Sequence, residues 1–412
     1  MCAELLSLVV MQIRPSVHAA YRTRREQVGV SVQSLYQKLA RIEPTVSAAL
    51  VRDVARDLGA VIDRMGPALP GPLDGFDVRI VDGNYLQGTQ HRLKELRCLG
   101  DAALPGHSLV VLNPHRELIE DVVLCRDGHA NQKPLALQLL DQVAAGQCWI
   151  ADRDFSTGDF LFGVRRRQAC FLVRQHGALI GELLGRRRRL GRIDSGMVYE
   201  QPLRVTHSTG TQMTVRRITV ELDQPTRNKD TQLHLLTNLP LKIRGQQVAT
   251  AYRSRWNVET AFAKLTVVLR CELNTLGYPD AALFGFCLAV VMYNAISAVM
   301  AALRTAHHPA LKKAAAKPHR KLSFYYVADE IAGVWRGMEI AVPECHWTAA
   351  FAKKPPKQLA EQLLWLARRT DLNRFWTNPH RPQQRRKRRL MTTPGGNIST
   401  HRLLQKRRRN TA

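Results

Sequence analysis

The chain is short of acid. Its 412 residues carry 34 Asp and Glu against 61 Lys and Arg, a formal net charge of +27. A surplus that large repels itself in a folded molecule, so a solvated basic surface with no partner is the weaker reading. Nucleic acid is the simplest polyanion to offset it. Paired cysteine spacing is missing too. The eight cysteines are scattered along the chain, which argues against a disulfide or zinc framework and for reduced thiols in the cytoplasm. No secretion signal is expected: residues 5–11 are apolar, but Glu4 precedes them, and neither a basic region nor a small-residue cleavage site surrounds them. Charge is absent over residues 281–303, long enough to span a bilayer. Gly285, Tyr293, Asn294 and Ser297 within that stretch, and its basic flanks, favour a helix buried against a sheet, with no membrane partner.

The length exceeds one hydrophobic core, so two or three domains are expected. Residues 1–65 read as helices: an amphipathic segment at 31–42 stops near Pro44, and 45–65 follows with Val46, Leu50, Val54, Leu58 and Val61 as a helical stripe. The pair could be a helix-turn-helix or a packing bundle. Residues 66–73, rich in Pro and Gly, form a linker. Strands are expected at 76–81, 108–112 and 119–125, with turns at Gly83-Asn84, Asn113-Pro114 and Asp127-Gly128. A helix at 134–145, a strand at 149–151 and a strand at 170–174 follow.

Three groups of residues carry chemistry. Asp82 ends a β-branched run with a turn directly after it, and Asp152 ends the next one, so both are expected to face a cleft. Residues 248–270 hold no Pro or Gly and have helical spacing. Tyr252, Arg255 and Glu259, three and four positions apart, therefore share one side of a helix. Arg255 and Glu259 alone could be an ordinary (i, i+4) ion pair. Asp82 and Asp152 are 70 residues apart, Asp152 and Glu259 107. The second gap is too long for core elements alone, which predicts a β-rich insertion at 177–231. Its entry is basic: Arg186, Arg187, Arg188 and Arg189 are consecutive, and Glu182 is the single acid between 164 and 192. Such a run would neutralise phosphates or form a solvated loop.

The ordered motifs Val81-Asp82-Gly83, Asp152-Arg153-Asp154-Phe155 and Tyr252…Arg255…Glu259, with the run Leu236 to Pro240 before the last, make the chain resemble DDE transposases of the insertion-sequence-4 superfamily. The resemblance covers roughly residues 76–303 and implies an α/β fold. That fold is an RNase H-like mixed sheet with flanking helices, a β-rich insertion and a helical N-terminal region. It implies core segments at 74–176 and 232–306, a C-terminal helical region at 307–380 and, from composition, a disordered polybasic tail at 381–412. It makes Asp82, Asp152 and Glu259 the catalytic residues and the ligands of two Mg²⁺ ions, for which Mn²⁺ can substitute. Carboxylates without His or Cys suit that hard cation. Tyr252 and Arg255 would contact DNA phosphates. The implied partner is double-stranded DNA, at element ends and target, bound by a homodimer in the bacterial cytoplasm at the nucleoid. Two departures stand out. Thr266 occupies the place where the superfamily has Lys, and Lys264 would point about 140° away from Glu259; Asp154 stands where Gly is usual. Thr266 is the best support for the alternative, a catalytically decayed repressor that binds DNA without cutting it.

Overall fold

The structure is a computed structural model and describes residues 1–66, 69–86, 103–179, 181–226, 229–273, 276–315, 321–341, 354–377 and 398–411. The chain opens with helices α1 (Cys2–Val10), α2 (Val17–Thr23), α3 (Arg25–Val28), α4 (Val32–Leu39) and α5 (Pro44–Met65). Strands β1 (Asp77–Leu86), β2 (Ala103–Leu104), β3 (Gly106–Asn113) and β4 (Leu118–Cys125) come next. Helix α6 (Gln132–Gln138), strand β5 (Gln147–Ala151), helix α7 (Gly158–Arg166) and strand β6 (Cys170–Arg174) follow. The insertion supplies β7 (Gly181–Leu183), β8 (Arg188–Ile193), β9 (Gly196–Thr206) and β10 (Gln212–Leu222), and β11 (Gln232–Thr237) returns to the core. The rest of the described chain is α8 (Gly245–Tyr252), α9 (Trp256–Val267), α10 (Pro279–Ala306), α11 (His308–Ala315), α12 (Phe324–Ala341), α13 (Pro356–Arg368), β12 (Ile398–Ser399) and α14 (Thr400–Thr411).

Ten strands make one mixed sheet in the order β4-β3-β1-β5-β6-β11-β10-β9-β7, with β8 also on β9. β1, β5 and β6 run parallel, while β3 and β4 on one side and β11, β10 and β9 on the other are antiparallel. This is the expected mixed α/β class with flanking helices, a β-rich insertion and a helical N-terminal region. The insertion continues the core sheet edge to edge. Alternation along the strands feeds two cores: Ile80, Ile150 and Leu172 face the layer of α5 and α8 to α10, and Val81, Ala151 and Val173 face α6 and α7.

The uncharged stretch is α10, and it is buried as expected: by length and composition it could cross a membrane, but 83% of its most apolar window is inside the protein. Its Asn294 accepts the Ile119 N–H and donates to the Ile119 carbonyl, both at 2.8 Å. Ile119 lies on β4, the outermost strand on this side of the sheet, beside a bulge where the register slips by one residue at Glu120, so one side-chain amide satisfies both backbone groups of an edge residue.

Helix α5 packs on α10 and β4, so the N-terminal helices are built into the main core. Its buried face includes Ala48, Val51, Ala55, Val61, Ile62 and Met65; of the expected stripe Val61 is buried, Leu50, Val54 and Leu58 are partly buried, and Val46 is 59% exposed. A helix pressed from two sides buries a wider and differently centred arc than a single stripe predicts. Three further expectations change. β1 does not turn at Gly83-Asn84 but stays paired with β3 through Leu86. The helix expected over 248–270 is broken into α8 and α9 by a 3₁₀ turn at Arg253–Arg255. The tail was expected to be disordered over 381–412; residues 381–397 lie outside the described ones, but 398–411 form β12 and α14. β12 pairs with β2, and Asp127 accepts from Ser399 Oγ and Arg402 Nε, both at 2.7 Å. That lock gives a basic segment enough fixed partners to order, which its composition alone did not reveal. The described cysteines 2, 125, 148, 170, 271 and 287 are free thiols; 98 and 345 lie outside the described residues.

Candidate active site

The site lies where three parallel strands stop pairing. Val81 opposes Ala151 and Ala151 opposes Val173, so Asp82, Asp152 and Arg174 stand in a row, each one residue beyond the last of these pairs. Alternation turns that row toward the layer of α8 and α9. Beyond Val81, β1 has a partner on one side only, which frees its edge there. Asp82 Oδ1 accepts the Gly83 N–H at 2.9 Å, and a side chain at Gly83 would run into the Gln132 amide, 2.4 Å from an added Cβ. Asp152 caps the 3₁₀ turn Arg153–Phe155, its Oδ1 accepting the Asp154 N–H at 2.9 Å.

Helices α8 and α9 arrive over this edge because the run Leu236 to Pro240 is tied down. Thr237 Oγ1 donates to the Phe171 carbonyl, Asn238 bridges the Phe171 N–H and the Ala169 carbonyl, and Arg216 donates to the Leu239, Pro240 and Ile243 carbonyls. Gln247 then accepts the Arg244 N–H at the start of α8. The 3₁₀ turn tightens the backbone between the two helices. Arg255 reaches the sheet from its end: Nη1 donates to Asp82 Oδ2 at 2.7 Å and Nη2 to Glu259 Oε1 at 2.6 Å. The (i, i+4) ion pair is therefore present, but it is half of a fork that also holds Asp82.

Burial pushes the Asp82 carboxyl up to about 6; Arg255 and the Gly83 N–H oppose the rise, and the charges of Asp152 and Glu259 add to it. Burial likewise raises Asp152, as does the neighbouring Asp154. The Tyr252 hydroxyl is buried, 8% of the residue being exposed, and burial drives its ionisation far above the usual range. Tyr252 is thus buried beside the acids, while Glu259, with 37% of its side chain exposed, stays open to solvent.

Asp82 and Glu259 are joined through Arg255, and Asp152 sits on the adjoining strand end. Among the described residues no three His, Cys, Asp or Glu side chains are grouped to hold a metal ion. The donor chemistry fits a hard divalent cation: the carboxylates raise one another's affinity for positive charge, and Arg255 supplies that charge within the fold. Asp82 and Asp152 are the pair that adjacent strand ends bring side by side.

The other residues singled out divide. Lys264 points away from the cleft, its amine 4.9 Å from the Phe324 ring centroid and 5.6 Å from that of Tyr293; Thr266 donates to the Phe262 carbonyl. In the arginine run, Arg187 pairs with Glu221 and lies 3.6 Å over the Tyr199 ring, Arg188 pairs with Glu200, and Arg189 Nε contacts Met197 Sδ. Trp256 is 59% exposed beside Arg255. Helical spacing could not reveal this, because the 3₁₀ turn rotates the start of α9 relative to α8.

Residues 76–295 match the family described as the transposase DDE domain. The chain belongs to that family, and its sheet and flanking helices are those of an RNase H-like DDE transposase. It is thus a transposase by class, one whose substrate is DNA. No curated protein matches the chain.

Proposed function

We propose that this chain is the transposase of an insertion sequence in the insertion-sequence-4 superfamily. It binds the ends of its element, cleaves them in a reaction that depends on Mg²⁺, and joins them to target DNA. The observation that carries this reading is the row where the parallel strands stop pairing, with Asp82 beside Asp152 and Glu259 fastened to Asp82 by Arg255. Asp82 and Asp152 would hold the cation, and Glu259 would join them once Arg255 turns to a DNA phosphate. A bound divalent ion supplies charge stabilisation to the attacking and leaving oxygens of a phosphodiester. The chain's own groups orient the strand: the Arg255 fork matches a phosphate bidentately, Tyr252 is buried beside the acids, and exposed Trp256 offers a face for a base. Synapsis of two ends on a homodimer at the bacterial nucleoid belongs to the same proposal.

The test is cleavage of element-end DNA by Asp82→Ala, Asp152→Ala and Glu259→Ala. Each variant should bind the ends within a few fold of wild type and lose Mg²⁺-dependent nicking; nicking that survives in any one of them removes that residue from the assignment.

A further inference from the structure

A cavity lies beside the acidic group. It measures about 480 Å³, and Arg153, Arg174, His176, Lys229, Asp230 and His234 line it. Arg153 directly follows Asp152, and Arg174 stands next to Asp152 across the β5–β6 pair, so two lining residues of the cavity adjoin the acidic group. Arg174 is two strands from Asp82, roughly 10 Å at the usual strand spacing. Along the axis of a duplex that distance spans about three base pairs at about 3.4 Å each.

We propose that this cavity binds a backbone phosphate of the DNA strand that runs from the acidic cleft toward the insertion. The inference rests on reading the chain as a DNA transposase, and it names a contact that the catalytic motifs do not contain. Three cations line the cavity against one carboxylate. Asp230 is already committed, accepting from Arg174 Nη2 at 2.9 Å and from Thr226 Oγ1 at 2.8 Å. Arg153 and Lys229 are exposed, and among the described residues neither has a carboxylate within 4.0 Å. Asp230 thus fixes the Arg174 fork, while Arg153 and Lys229 keep charge for a ligand. A second sign of the local field comes from His234 at the back: burial, then Arg217, Arg187 and Arg174, push its imidazole down to about 4. It stays neutral at physiological pH and adds no charge to the cavity wall. The arginine run at 186–189 differs from this site, since three of its members already have protein partners.

The experiment is binding of a short fluorescent DNA duplex across a series of KCl concentrations, for wild type, Arg153→Gln, Lys229→Gln and the charge-matched control Arg374→Gln. Arg374 is exposed and pairs with Glu330 away from the cleft. Loss of a phosphate contact lowers the slope of log K against log salt by about 0.9, so Arg153→Gln or Lys229→Gln should flatten it by that amount while the control leaves it unchanged. Slopes equal to wild type in both cavity variants, or an equal loss in the control, overturn the subsite. Wild-type protein that binds the duplex without salt dependence would instead count against the DNA reading itself.

Discussion

Where β1 loses β5 as its neighbour, burial and neighbouring acids push Asp82 up to about 6, whereas on β11 burial and arginines push His234 down to about 4. Both groups resist the charge their surroundings already hold in excess. The acidic end wants a cation and for the present has Arg255; the insertion end wants an anion. The boundary runs between Asp152 and Arg153, adjacent in sequence. A phosphodiester bridging that boundary would place one phosphate against metal-binding acids and another against arginines, which is what cutting a polyanion requires.

The acidic end can be broken most severely. Asp82→Ala or Asp152→Ala should slow strand cleavage at least about a thousandfold, some 4 kcal/mol of barrier, in a nicking assay, while duplex affinity moves little. Arg255 offers the next largest effect. Removing one partner of a largely desolvated charge cluster costs about 3 kcal/mol, so Arg255→Gln should unfold at lower denaturant without metal. Because the guanidinium no longer competes for Asp82 and Glu259, the same variant should bind Mn²⁺ more tightly than wild type by calorimetry. Weaker Mn²⁺ binding would mean that Arg255 organises the carboxylates rather than standing in for a cation.

The pH dependence of stability sharpens the comparison, because the two ends have opposite signs. Asp82 holds its proton more tightly folded than unfolded, so its contribution is present below about pH 4 and is lost as pH rises through about 6. His234 takes its proton at 6.5 when unfolded but only near 4 when folded, so its contribution is present above 6.5 and is lost as pH falls toward 4. The Asp82 shift corresponds to roughly 3 kcal/mol at about 1.36 kcal/mol per pH unit, that of half-buried His234 to less because water screens it, and over pH 4 to 6 the two slopes oppose each other. Asp82→Asn should therefore lose stability on acidification more steeply than wild type, and His234→Gln should gain it. Denaturant midpoints at three pH values decide the matter; parallel curves for both variants would show that neither group controls stability here.

Much of this fold was legible in the residues, because strand alternation and β-branched runs are local signals. β3 to β6 fall where their patterns put them, the insertion is rich in strands, and the apolar stretch of α10 proved to be core. The site was legible as motifs but not as geometry. Asp82 lies within a strand that continues past it, exposed because β5 ends, and the length of a neighbouring strand cannot be seen in the Asp82 motif. Arg255 holding two carboxylates depends on the 3₁₀ turn that ends α8, which no residue in an unbroken helical pattern announces. The order of residues 398–411 comes from Asp127, some 270 residues away, and composition has no access to such a partner.

The smallest effect is expected at an arginine of the same chemistry in the opposite setting. Arg192 donates to Asp223 at 2.6 Å, as short as the Arg255 bond to Glu259, yet the two side chains are 61% and 41% exposed. Water screens both charges, and ordering two mobile side chains offsets the attraction, so such pairs contribute about 0.5 kcal/mol or less. Arg192→Gln should shift the denaturation midpoint within that margin at low salt and not at all at high salt. Arg255→Gln, with its partner Asp82 only 17% exposed, should keep most of its cost in high salt. A comparable loss from the two variants would mean that burial does not separate the ends of the sheet, and that the charge of the acidic cleft is as well screened as that of the insertion's outer edge.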